Sequence, residues 1–138
     1  MTTRRELIAA AAGAGVALAF PGIAGARQAG GGALAVVTAD LQSHVVTVDP
    51  ATGQVLDRIR TASGPRSVEA ALGTLAVVAH TTEGKLTIVH PYEPKASVMI
   101  GGFKAPRYTA VVNELAHVTD SAAREVVVVD LLTSGVRA

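Results

Sequence analysis

The chain contains no cysteine and no tryptophan, and only four aromatic side chains: Phe20, Tyr92, Phe103 and Tyr108. Without thiols, disulfides, thiolate metal sites and cysteine nucleophiles are excluded. The same absence suits an oxidising compartment. So few rings leave no platform for stacking bases. Charge is also sparse, at 17% of residues, and neither sign dominates. Twelve basic residues less Arg4 and Arg5, and eleven acidic less Glu6, leave ten of each beyond residue 26. A neutral chain makes no electrostatic case for nucleic acid or an anionic membrane surface. No apolar run reaches the ~20 residues that span a bilayer. What remains is an apolar chain of 138 residues, 49% hydrophobic, enough for one domain with a modest core.

The first 26 residues read as an address. Thr3-Arg4-Arg5-Glu6-Leu7-Ile8 resembles the bacterial twin-arginine export signal. An apolar stretch over 7–20 follows, Pro21 breaks it, and Ala24-Gly25-Ala26 offers a cleavage site before Arg27. The expected layout is a signal over 1–26, with Arg4 and Arg5 as its determinants and Ala24 and Ala26 at the cleavage site. A flexible Gly-rich lead-in follows over 27–32, and the folded domain over 33–138. The resemblance implies a periplasmic or secreted bacterial protein, exported already folded.

Beyond the address, the chain repeats. Leu34-Ala35-Val36-Val37-Thr38 returns as Leu75-Ala76-Val77-Val78-Ala79 and as Leu115-Ala116-His117-Val118-Thr119. Val46-Thr47-Val48-Asp49-Pro50 returns as Thr87-Ile88-Val89-His90-Pro91 and as Val127-Val128-Val129-Asp130-Leu131. Pro65-Arg66 returns as Pro106-Arg107. A period near 40 with several short strands per unit marks β-propeller blades. Val, Ile and Thr dominate the segments between turns, which predicts strands over 33–39, 44–49, 54–61, 66–72, 75–80, 85–90, 95–101, 107–112, 115–119 and 125–131, then a stub. The apolar runs 77–79 and 126–129 predict strands covered on both faces, as in stacked blades.

Val46-Thr47-Val48-Asp49-Pro50-Ala51-Thr52-Gly53-Gln54-Val55 is the clearest instance of a V-x-V-D-x-x-T-G-x-V pattern. Residues 127–136 repeat it with one extra residue, and the middle copy departs, with His90-Pro91-Tyr92-Glu93-Pro94 in place of the Asp and Gly. On these motifs the chain resembles the YVTN-type (YncE-like) β-propeller repeat over about residues 33–138. The resemblance implies blades of four antiparallel strands, seven to a ring, often in exported bacterial proteins. The expected fold is all-β: a partial propeller of about two and a half blades, starting at a second strand. A ring needs roughly four blades or more. Three explanations stay open: a piece of a longer product, assembly with copies of itself or a partner through open blade faces, or closure as a small sheet.

In such a blade the loop entering the inner strand and the loop between the second and third strands share one end of the ring. These loops carry Arg66 and Arg107, then Asp40, His80 and Asp120, the candidate ligand-binding residues. Two guanidiniums on adjacent blades can clamp a carboxylate or phosphate through forked hydrogen bonds. The plainer alternative pairs each arginine with a neighbouring carboxylate, Glu83 or Asp120, to tie blades together. His44, His80, His90 and His117 fall at non-equivalent or out-of-phase positions without metal-ligand spacing, so no metal is expected. No serine has a base in view, there is no G-x-S-x-G, and the glycines at 30–32 precede no phosphate loop, so no catalytic residue and no cofactor is expected. The sequence points to an exported propeller that binds a small anionic ligand or a cell-envelope protein. The alternatives are the remnant of a propeller enzyme, lactonase-like or metal-dependent, or a non-functional fragment.

Overall fold

The computed structural model describes residues 16–18 and 32–137. The signal residues Arg4, Arg5, Ala24 and Ala26 lie outside these. Twelve strands form three antiparallel sheets of four. The first joins β1 (Val16–Leu18), β2 (Ala35–Ala39), β3 (His44–Val48) and β4 (Val55–Arg60). The second joins β5 (Pro65–Ala71), β6 (Leu75–His80), β7 (Lys85–Val89) and β8 (Val98–Ile100). The third joins β9 (Pro106–Val112), β10 (Leu115–Asp120), β11 (Glu125–Asp130) and β12 (Gly135–Arg137). Strands adjacent in sequence are adjacent in each sheet, and six of the nine connections within sheets are turns of two to four residues, which permit only antiparallel neighbours. Inner strand β5 packs on β1 and β2 to one side and on β9 to the other, so the sheets stack as blades around the inner strands. The fold is an all-β partial propeller.

Two strand assignments differ from the sequence reading. The first blade has an inner strand: β1 pairs Val16 with Val37 and Leu18 with Ala35, within the stretch that reads as the apolar part of a signal. The strand expected over 95–101 begins only at Val98, because Pro94–Ala96 forms one turn of 3-10 helix. Pro94 supplies the fixed φ of its first turn and lacks the N–H a ladder would need.

Alternation along the strands sends one set of side chains forward, to the next blade, and the other set back. Forward-facing Val36, Val45 and Ile59 of blade one pack on rear-facing Ala76, Val78 and Val89 of blade two. Forward-facing Val77, Ala79, Leu86 and Ile88 of blade two pack on rear-facing Ala116, Val118 and Val129 of blade three. Residues 77–79 are thus covered on both faces, as expected. Residues 126–129 are not: Val129 is buried, whereas Val126 is exposed.

Candidate functional site

The strand ends at residues 39, 80 and 120 define one end of the stack, closed by the turns 40–43, 81–84 and 121–124. Arg66 and Arg107 start the inner strands at that same end, since Pro65 pairs with His80 and Pro106 with Asp120. The 49–53 turn, which follows Val48 opposite Ala35, lies at the other end.

Both arginines occupy bulges. The β5–β6 register slips between Pro65 and Ser67, and the β9–β10 register slips between Asp120 and Val118. A bulge bends the strand and re-aims the side chain it carries. In blade three the Thr119 hydroxyl stands in for the broken ladder, accepting from the Tyr108 N–H and donating to the Tyr108 carbonyl. The proline ahead of each arginine suits the first position of such a strand.

The structure separates the five candidates by role. Arg66 reaches across to blade one and lies 3.8 Å from Asp40, both partly exposed. Its partner is Asp40 and neither Glu83 nor Asp120. Glu83 is engaged by the Ser63 hydroxyl at 2.6 Å, which together with Lys85 holds its carboxyl below the ordinary value. Thr81, the repeat equivalent of Asp40, makes the corresponding tie from blade two to blade three by donating to the Pro106 carbonyl. The Arg107 guanidinium lies 5.6 Å from the centre of the Tyr108 ring, and no carboxylate pairs with it among the described residues.

His80 and Asp120 occupy the same repeat position and are buried. The His80 Nδ1–H donates to the Ser63 carbonyl at 3.2 Å, and in the neutral ring Nε2 accepts from the Thr87 hydroxyl at 2.8 Å. Burial lowers the ring's pKa below the ordinary 6.5, against the opposing pull of the Ser63 carbonyl and Glu83. Asp120 accepts from the N–H groups of Lys104, Ala105 and Ala123 at 2.6, 2.9 and 3.1 Å. Each residue therefore clamps the linker that enters its own blade, 61–64 for His80 and 101–105 for Asp120. By clamping the linkers they set where Arg66 and Arg107 emerge.

One feature at the other end had no sequence signal. A cleft of about 630 Å³ opens between blades one and two, lined by Asp49, Pro50, Leu56, Asp57, Pro91 and Tyr92 among others. Its walls come from turns 40 residues apart, and no single segment marks it. The Asp49 carboxylate is committed to its own turn by the Ala51 N–H and the Thr52 hydroxyl, which hold its pKa below the ordinary value. Among the described residues no group of three His, Asp or Glu side chains is placed to hold a metal ion, and no helix is long and apolar enough to cross a membrane.

No family model matches the sequence, and no curated protein does. Solved structures do. The chain is similar to Kuenenia stuttgartiensis hydrazine synthase with a TM-score of 0.68 at 15% identity, over 75% of this chain and 31% of that one. It is similar to the Neurospora crassa Pan2 WD40 domain with a TM-score of 0.61 at 13% identity, over 90% of this chain and 38% of that domain. At such identities the likeness shows the propeller fold alone. The chain spans about a third of the length of these neighbours.

Proposed function

We propose that this chain is an exported, non-catalytic propeller segment of the YVTN type whose Arg66–Arg107 end binds an anionic group, carried by a small ligand or a cell-envelope protein. The observation that carries the reading is the paired placement of these arginines. They sit on equivalent bulges of adjacent blades, at one end, with both side chains partly exposed. A bulge that breaks ladder pairing in two successive blades is a device for aiming a side chain, and in both blades that side chain is a guanidinium. Asp40 acts as an internal competitor, occupying Arg66 until a better anion arrives. His80 and Asp120 are positioning residues in this reading, not ligands.

Titration with inorganic phosphate, followed by amide chemical shifts, tests the site. Arg107→Ala is expected to weaken binding about tenfold, as for loss of one charge-assisted pair. Arg66→Ala should weaken it less, and Asp40→Asn should tighten it by releasing Arg66. All three effects shrink as salt rises. If Arg66→Ala lowers the melting temperature while every phosphate shift persists, the arginines only tie blades together.

Export is tested separately. Arg4→Lys with Arg5→Lys is expected to hold the precursor in the cytoplasm, seen by fractionation. Unchanged export of that double variant sinks the twin-arginine reading. Cleavage after Ala26 would also remove β1 and leave β2 at the sheet edge.

A further inference from the structure

His80 and Asp120 do one task at one repeat position with groups that titrate in different ranges. Each ends the second strand of its blade and holds the linker that enters that blade. Asp120 does so as a carboxylate whose pKa lies below the ordinary 3.8. His80 does so with an imidazole, the side chain whose ordinary charge change falls between about pH 5 and 8. Of the four histidines, His80 alone is fully buried. The linker meets its ring with the Ser63 carbonyl, and β7 meets it with the buried Thr87 hydroxyl. β5 brings Pro65 opposite, and Arg66 beyond it is paired with Asp40 of blade one. The charged groups that act on the ring are Glu83 and Lys85, in opposite directions. Glu83 already accepts from the Ser63 hydroxyl and from Lys85.

A second proton on this ring is poorly received. It sits on Nε2, facing the Thr87 oxygen. Thr87 can accept it only by turning its own hydroxyl proton toward surroundings that hold no water, since the residue is 1% exposed. No carboxylate touches the ring, so the charge keeps most of its desolvation cost. Water solvates it better, and the linker that covers the ring is held to it by one hydrogen bond. We infer that acidification from about pH 7 to about pH 5 protonates His80 and releases the 61–64 linker, loosening blade two from blade one, while the linker that Asp120 holds between blades two and three stays closed. Burial keeps the folded pKa below 6.5, so the opened or unfolded chain takes up the proton first. The stability that neutral His80 supports is complete above about pH 6.5 and declines as pH falls from there toward the folded value. The release reaches Arg66, which follows the linker and ties it to Asp40, and leaves Arg107 where it is.

Amide hydrogen exchange of the full chain at about pH 7 and about pH 5, corrected for the intrinsic pH dependence of exchange, tests the inference. The Thr61 N–H, which donates to the Ser43 carbonyl, is expected to lose protection several-fold at the lower pH. The Phe103 N–H, which donates to the Gly84 carbonyl in the equivalent linker, should keep its protection. His80→Gln retains a donor and an acceptor but cannot titrate, and the difference between the two pH values should vanish in it. Should that variant fail to fold, the wild-type His80 ring resonances serve instead: their titration should coincide with the loss at Thr61. Equal protection of Thr61 at both pH values overturns the inference. So does an equal loss at Thr61 and Phe103, which belongs to general loosening in acid. A pH effect that survives in His80→Gln, or a ring that titrates outside the range of the loss, places the cause elsewhere and overturns it as well. Tighter protection at the lower pH would mean that the charged ring draws in Glu83 and the Ser63 carbonyl, the opposite of release. No phosphate enters the experiment, so its outcome is independent of the anion site.

Discussion

Asp120→Ala is expected to destabilise the protein by about 3 kcal/mol, a large part of the 5–15 kcal/mol that holds a typical domain together. The carboxylate is 2% exposed and accepts three backbone N–H groups, from Lys104, Ala105 and Ala123. Alanine leaves those donors facing a small void that holds no acceptor. Bonds to a charged acceptor are the strong ones, and the loss of an acceptor from buried donors costs more than the bond itself contributes. A midpoint drop of roughly 10 °C or more in thermal unfolding is the expected reading. Asp120→Asn keeps the volume and one acceptor and should fall between the two. The pH dependence carries the same signature. Burial alone would raise the Asp120 pKa, but the N–H groups of Lys104, Ala105, Ala123 and Ala122 outweigh it and hold the group below the ordinary 3.8. A carboxyl whose folded pKa is depressed stabilises fully above its unfolded value, and the contribution fades as pH falls through the folded value. The wild type should therefore lose stability below about pH 4 more steeply than Asp120→Asn. A loss under about 1 kcal/mol for Asp120→Ala, by urea denaturation at pH 7, would mean that the linker does not depend on this clamp.

The blade pattern was legible because it is written in strand periodicity. Leu75-Ala76-Val77-Val78-Ala79 and its two relatives carry the 40-residue step, and each of the ten expected strands appears, nine of them close to where the turns placed them. The tenth starts late because Lys95-Ala96 follow Pro94 into a 3-10 turn, a local backbone preference that the Val and Ile count does not register. The shared end for Arg66 and Arg107 was legible from the Pro-Arg repeat. The division of labour among the candidates was not. His80 and Asp120 look alike in the repeat alignment and look like site residues, polar groups at the mouth of a channel. The linker groups they hold are main-chain atoms 15–17 residues away in sequence, at 63, 104 and 105, and a backbone carbonyl or N–H leaves no trace in residue identity. The Asp40–Arg66 tie was hidden for another reason. It joins different blades, and the residue at the equivalent place, Thr81, makes its tie with a hydroxyl. Two chemistries for one structural task erase the repeat signal.

Gly84→Ala is expected to cost about 3 kcal/mol, whereas Gly73→Ala should cost about 1 kcal/mol, although both glycines have positive φ. The two positions separate backbone strain from close approach. Gly73, at φ 69°, would carry a Cβ into open space, with nothing within 4 Å. Leu72 beside it and Asn113 in the shorter turn of blade three carry side chains at φ 51° and 54°, and asparagine tolerates this region, so Gly73→Asn should be close to neutral. Gly84, at φ 61°, has an equivalent with a side chain, Arg124 at the same φ. Strain is therefore tolerable there too. What differs is the neighbour: a Cβ on Gly84 would lie closer than 3.0 Å to the Phe103 carbonyl oxygen. That oxygen belongs to the linker between blades two and three, whose Phe103 N–H donates back to the Gly84 carbonyl at 3.3 Å. The Phe103 side chain packs in the core between those blades, so the linker cannot retreat without withdrawing a buried ring. The turn and linker of blade one make the same approach, with the Thr61 N–H donating to the Ser43 carbonyl. Gly84→Ala should thus loosen the clamp that carries the chain from one blade to the next. Amide exchange should rise across residues 101–107 in this variant and stay unchanged there in Gly73→Ala. Equal unfolding free energies for the two alanine variants would show that the linker moves aside at little cost, and that the close approach at Gly84 does not hold the blades in place.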